Sequence, residues 1–190
     1  MNIGIYLYDD AEVLDFSGPF EVFNTAIRLS DIQWNIFFIA EKKAMITARG
    51  GLQLLPHYGI DQHPPLDLLF IVGGEHNDQL NKTNVIDWIG EQASTTNYVA
   101  TVCTGAFLLA QTGLLDGRSV TTHWQDICAL TNDFPALNVM TGKRWVEDGK
   151  YISSAGISAG IDMSLHLVSR FVSQELANKT AKQMDYVWCR

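Results

Sequence analysis

Two runs of apolar residues constrain this chain most. Leu66-Asp-Leu-Leu-Phe-Ile-Val72 and Tyr98-Val-Ala-Thr-Val102 are rich in β-branched and aliphatic side chains, and both stop abruptly at small residues, Gly73-Gly74 and Cys103-Thr-Gly-Ala106. A nearly continuous apolar strand has to be covered on both faces, which occurs in parallel sheets sandwiched between helices. The rest of the chain alternates in the same way. Asn2–Tyr8 and Trp34–Ala40 read as further strands. A helix opens within Asp15-Phe-Ser-Gly-Pro-Phe-Glu-Val-Phe23, with Ser17 as N-cap, Pro19 early and Glu21 in the first turn. Gly50-Gly51 predicts a turn and Leu52–Leu55 a short edge piece. Helices are expected over Val85–Ala93, after Cys103 as far as Gly113, over Gln125–Thr131, Ile161–Phe171 and Leu176–Val187. Arg118–Thr122 reads as a strand after an Asp116-Gly117 turn. Lys143–Val146 and Lys150–Ser153 flank Glu147-Asp148-Gly149, a hairpin signal, and Ser154–Gly160 forms a tight loop of small residues. The β-α-β alternation predicts one α/β layer sandwich around a mainly parallel sheet, with ligands bound beyond the carboxyl ends of the strands.

Composition narrows the function. A length of 190 residues with 47% apolar content suits one domain, spanning 1–190, with a sizeable core. The formal charge of −8, without any Lys/Arg run, disfavours nucleic acid as a partner. No apolar run approaches a membrane span, and the N-terminus lacks the basic start and cleavage site of a signal peptide. Cys103, Cys128 and Cys189 are odd in number and lack metal-ligand spacing, which fits a reducing cytoplasm and predicts no metal site.

Cys103 stands at a strand-to-helix turn, where the unpaired N–H groups of the next helix favour negative charge. That position predicts a depressed thiol pKa and a nucleophilic thiolate; the plain alternative is a buried cysteine ending a core strand. Gly73-Gly74 either makes a simple turn or brings backbone N–H groups close to a ligand as an oxyanion hole with the N–H of Thr104. It is no phosphate loop, since neither GxxxxGK[ST] nor GxGxxG occurs. His123 either packs beside Trp124 or orients a ligand and assists proton transfer. Asp15 either caps a helix or acts as a partly buried carboxyl with a raised pKa; Glu21 competes with it for an acidic role, or serves the helix dipole.

Five segments, Leu14–Val22, Ile71–Gly74, Val102–Ala106, Leu114–Arg118 with Thr121–Trp124, and Ser154–Asp162, run in order along the chain. Together they resemble the ThiJ/PfpI superfamily, of class I glutamine amidotransferase-like fold. Within it the match is to the isonitrile hydratase branch and to the sensor domains of AraC-type regulators. The resemblance implies a flavodoxin-like sandwich, usually a homodimer, with Cys103 as nucleophile. Asp15 matches the hydratases' catalytic Asp and Thr104 the Thr after their Cys. Gly73, Gly74, His123 and Gly156 are the candidate oxyanion and substrate-binding residues. The implied reaction converts an isonitrile and water into an N-substituted formamide without metal or organic cofactor. A chain ending at Arg190 leaves no room for a helix-turn-helix module, which speaks against a complete regulator. A small-molecule or redox sensor, and another hydrolase or deglycase of the superfamily, are the alternatives.

Overall fold

In the computed structural model, which describes residues 1–189, the strands at the middle of the sheet carry the candidate site on their ends. In chain order the elements are β1 (Asn2–Tyr6), α1 (Val13–Arg28), β2 (Asn35–Ala40), β3 (Ile46–Thr47), β4 (Gln53–Leu54), β5 (Tyr58–Gly59), β6 (Leu68–Ile71), α2 (Asn77–Leu80), α3 (Thr83–Thr95), β7 (Tyr98–Val102), α4 (Gly105–Ala110), β8 (Ser119–Val120), α5 (Ile127–Asp133), β9 (Asn138–Val139), β10 (Trp145–Asp148), β11 (Tyr151–Ser154), α6 (Ser158–Phe171) and α7 (Gln174–Gln183). The main sheet has seven strands in the order β10-β11-β7-β6-β1-β2-β5. Every pairing in it is parallel except the β10–β11 hairpin. It is an α/β sandwich of the flavodoxin-like kind, with helices α1, α6 and α7 packed together and α2, α3 and α4 forming a second group.

The chain leaves β1 toward β2 on one side and later returns to build β6, β7 and β11 on the other. The order reverses between β1 and β6, and the loops diverging at such a point leave a crevice at the carboxyl edge. The strands flanking it are the most apolar. Ile3, Ile5, Leu68, Leu69, Phe70, Ile71, Val99, Ala100 and Val102 are fully buried, as two covered faces require.

Several elements depart from the sequence-based expectations. Helix α1 begins a turn before Ser17, with Glu12 at the N-cap position. Ser17 is therefore no cap; its hydroxyl donates to the Val13 carbonyl at 2.8 Å. The cause is the loop before it, where the Glu12 N–H is fixed on the Gly73 carbonyl at 2.9 Å and the Asp15 N–H on the Glu12 carbonyl at 3.1 Å. Pro19 consequently lies inside the helix and denies the Asp15 carbonyl its usual donor four residues on. The 52–55 piece pairs with β3 in a small hairpin of its own rather than at the edge of the main sheet. Strand β8 is shorter than Arg118–Thr122 and pairs with β9, which the sequence did not announce. The β10–β11 turn is the pair Gly149-Lys150, with Gly149 at φ +67°, because β10 continues through Asp148. Helix α7 stops at Gln183, and the tail folds back so that the Cys189 N–H reaches the buried Asp162 carboxylate at 2.9 Å. No helix among the described residues is long and apolar enough to cross a membrane.

Phe70 is fully buried at the middle of β6 and meets the edge of Phe23 at 6.2 Å between ring centres. Phe70→Ala is expected to cost about 3–5 kcal/mol. Urea unfolding should show the loss as a lowered midpoint at an unchanged slope.

Candidate functional site

Cys103 ends β7 in the left-handed region, φ +54°. A side-chain-bearing residue held there stores on the order of 1–3 kcal/mol, so its surroundings must over-determine it. They do so from three sides. The Cys103 N–H donates to the Ser154 carbonyl at 3.0 Å. The Cys103 carbonyl accepts from the Thr122 hydroxyl at 2.8 Å. Gly156 lies against the side chain so closely that a Cβ there would stand 2.4 Å from Cys103 Cβ and 2.9 Å from Sγ. Gly105 lets α4 start directly over β6, since a Cβ would meet the Ile71 carbonyl oxygen at 2.4 Å.

Asp15 comes to the same spot from the first turn of α1. It is fully buried. Its Oδ1 accepts from the Ile157 N–H at 2.7 Å and its Oδ2 from the Gly73 N–H at 3.2 Å. Ile157, β-branched yet at φ +51°, is a second strained residue, and it presents that N–H to the carboxyl. Gly73 is the point where the groups converge. A Cβ at Gly73 would lie 2.7 Å from Cys103 Cβ, 2.7 Å from the Thr104 nitrogen and 2.8 Å from Asp15 Oδ2.

The glycine pair does not supply the expected oxyanion hole. The Gly73 N–H is taken by Asp15. The Gly74 N–H donates to Thr104 Oγ1 at 2.9 Å, and the same hydroxyl lies 2.9 Å from the Gly74 carbonyl, to which it can donate. Thr104 thus clasps the backbone of Gly74 on both sides with its hydroxyl. Buried Tyr8 supports it from beneath, its hydroxyl near the Val72 carbonyl (3.4 Å) and the Thr104 side chain. The backbone N–H that remains for developing charge is that of Thr104, which favours a charged sulfur on Cys103.

Electrostatics also differ from the expectation at the sulfur. Burial, then the neighbouring Asp15 charge, push the Cys103 thiol well above its ordinary value, and the Thr104 N–H opposes them only in part. Asp126 and Glu12 push the same way. Helix α4 is six residues long and cannot outweigh the loss of water around a side chain that is 8% exposed. Burial thus favours the protonated thiol, against the depressed pKa expected at a helix N-terminus. Burial likewise raises Asp15 to about 7, against the two N–H bonds that favour its charged form.

The crevice beyond these residues has a volume of about 450 Å³. Cys103, Thr104, Gly74 and His123 line it, together with Glu12, Arg49, Glu75, His76, Asn77, Gln125, Asp126 and Ile157. His123 stands 3.6 Å from Asp126 and beside Trp124. Gly73, Asp15 and Gly156 lie behind the wall, as supports of Cys103. Glu21 is elsewhere, on the outer face of α1 with Arg28 at 3.3 Å. Sequence reasoning missed Glu12, Glu75, His76, Gln125 and Asp126. Their signal was adjacency, since each stands within three residues of Asp15, Gly74 or His123. Arg49 had no such signal, because it arrives on the β3–β4 hairpin and meets Glu12 at 3.2 Å. A larger groove of about 870 Å³, near Glu41, Tyr58 and His63, contains none of these groups. Among the described residues, no cluster of three or more His, Cys, Asp or Glu side chains is disposed to hold a metal ion.

Asp15 titrates at about 7 in the fold against 3.8 for a free side chain. The folded chain therefore holds one more proton than the unfolded chain between those values. Stability should fall as pH rises from about 4 to 7, by an upper limit of about 4 kcal/mol from this group. Denaturant unfolding across that range should show the slope in the native chain and a flatter one in Asp15→Asn; an identical slope in both would assign the titration elsewhere.

A model of the DJ-1/PfpI family matches residues 1–170. The isonitrile hydratase of Pseudomonas putida is 33% identical over 188 residues, covering 98% of this chain and 78% of that protein. The HTH-type transcriptional regulator GbdR of Pseudomonas aeruginosa is 28% identical over 188 residues, and the chain spans 50% of that regulator's length. Among solved structures, a ThiJ/PfpI family protein from Pseudomonas syringae superposes with a TM-score of 0.88 at 26% identity, covering 97% of this chain and 74% of that one. With the family model matched over most of its length and a relative one-third identical across nearly all of it, the chain belongs to the DJ-1/PfpI family.

Proposed function

We propose that this chain is a cysteine-dependent hydratase that converts small isonitriles and water into N-substituted formamides. Cys103 is the nucleophile, Asp15 the proton shuttle, and Thr104 the residue that sets the wall of the site. The observation carrying the reading is the pairing of a buried neutral thiol with a fully buried carboxyl poised at about 7, both against Gly73. A carboxyl with that value is half ionised near neutrality, so it can take a proton and give it back.

The chemistry follows from that pairing. Asp15 carboxylate takes the thiol proton as sulfur bonds to the terminal carbon of R–N≡C, and returns it to that carbon. The product is a thioimidate, R–N=CH–S–Cys103. Water then adds to its carbon, losing one proton through Asp15 to the nitrogen. The remaining O–H proton passes back to sulfur as the C–S bond breaks, which releases R–NH–CHO and restores the thiol. The Thr104 N–H steadies charge on the sulfur while that bond forms and breaks. No metal or organic cofactor enters these steps. The same reading takes the chain as a cytoplasmic homodimer with a small-molecule substrate.

The second reading is a non-enzymatic sensor. Its support is the regulator likeness, which runs over 97% of this chain. A sensor would be stabilised by its ligand without consuming it. A redox version is disfavoured by the neutral thiol, since oxidation proceeds through thiolate. A hydrolase or deglycase acting on amide or glyoxal adducts is the third.

Formamide release from alkyl and aryl isonitriles decides among them. Cys103→Ala is expected to abolish it and Asp15→Asn to lower kcat by about 10²–10⁴-fold. In the native enzyme kcat/KM should fall as pH drops below about 7, as the Asp15 carboxylate that takes the thiol proton becomes scarce. Purified protein that leaves small isonitriles untouched would overturn the hydratase reading. Methylglyoxal turnover surviving Asp15→Asn but not Cys103→Ala would favour the deglycase.

A further inference from the structure

The hydratase reading leaves the side group R of the substrate open, and the crevice lining bears on it. Three carboxylates line the opening over the sulfur: Glu12, Glu75 and Asp126. Arg49 is the one Lys or Arg side chain among the lining residues, and it is committed to Glu12 at 3.2 Å. Glu75 accepts a hydrogen bond from the Asn77 amide at 2.7 Å. Asp126 faces the His123 ring at 3.6 Å. The remaining side chains of the lining are amides, a second imidazole, a hydroxyl and one isoleucine. At the foot of the opening Cys103, 8% exposed, lines the crevice, its sulfur hydrogen-bonded by the Thr104 N–H.

We infer that the crevice takes a small substrate bearing a cationic group, with its electrophilic carbon at Cys103 and its positive charge between Glu75 and Asp126. This rests on the proposed reaction for the identity of the electrophile, not for the sign of the charge. Clefts lined by one sign of charge concentrate ligands of the opposite sign. A cation bound there also neutralises the carboxylate field at the sulfur, so a correctly charged substrate helps ionise its own nucleophile. An anionic substrate meets the carboxylates on entry and disfavours the thiolate once inside.

Charge selectivity can be read without turnover. Two methanethiosulfonates of similar size, one trimethylammonioethyl and one sulfonatoethyl, would be reacted with Cys103 in a full chain carrying Cys128→Ser and Cys189→Ser. Their rates are compared with those toward a cysteine in an unstructured peptide. After that correction the cationic reagent should modify Cys103 at least about tenfold faster. The preference should shrink in high salt and in the Glu75→Gln and Asp126→Asn variants. Equal corrected rates, or a faster anionic reagent, would overturn the inference. A preference unchanged in both variants would overturn the assignment to Glu75 and Asp126. In parallel, alkyl isonitriles ending in trimethylammonium, methyl and carboxylate groups are offered to the native enzyme, and KM should rise in that order. If none is turned over, the hydratase reading fails, while the thiosulfonate ratio still decides the charge of the ligand.

Discussion

The carboxyl of Asp15 holds the working end of this molecule together. One oxygen takes the Gly73 N–H after β6, and the other takes the Ile157 N–H at the start of α6. Three elements distant in sequence are thereby fixed around the elbow of β7. A buried carboxyl is costly unless its lone pairs are used, and two bonds from backbone N–H groups are what make it tolerable here. The same burial raises its proton affinity to neutrality. Structural role and chemical aptitude therefore have one cause.

Strain is concentrated around that carboxyl. Cys103 and Ile157 both hold positive φ; Cys103 is held by the Ser154 carbonyl and the Thr122 hydroxyl, and Ile157 by the Asp15 carboxyl. Glycines at 73, 105 and 156 let those backbones approach to distances that a Cβ would prevent. The scaffold that bears this cost is the set of apolar strands β1, β6 and β7, covered on both faces. Thr104, clasped to Gly74, ties the elbow back to the loop after β6 and joins the two walls of the crevice.

A fold of this family hosts enzymes and regulators alike, so function has to be argued from the crevice rather than from the sandwich. Two properties of the crevice carry weight. Burial favours the protonated thiol, which suits a nucleophile generated only when a substrate and a proton acceptor are both present. Three carboxylates line the opening, one of them paired with Arg49.

The sequence by itself determined the layers. Apolar runs ending at Gly73-Gly74 and at Cys103 specify strands covered on both sides, and that pattern is local, written in consecutive residues. It also put a cysteine on a strand-to-helix turn, and the ThiJ/PfpI-like motifs singled out Asp15 and Thr104 beside it. Tertiary structure alone decided what those groups do to one another. The Ser17 cap failed because the preceding loop, fixed on Gly73, starts α1 a turn early. The oxyanion role expected of Gly73-Gly74 failed because Asp15 and Thr104, remote in sequence, take both N–H groups. The expected thiolate failed because a proton affinity depends on excluded water and nearby charge, here the packing of Gly156 and the carboxyl of Asp15. Arg49 enters the site on a hairpin whose sequence says nothing of it. Periodicity reports which face of an element is buried; only the closed fold reports which buried groups share a hydrogen bond.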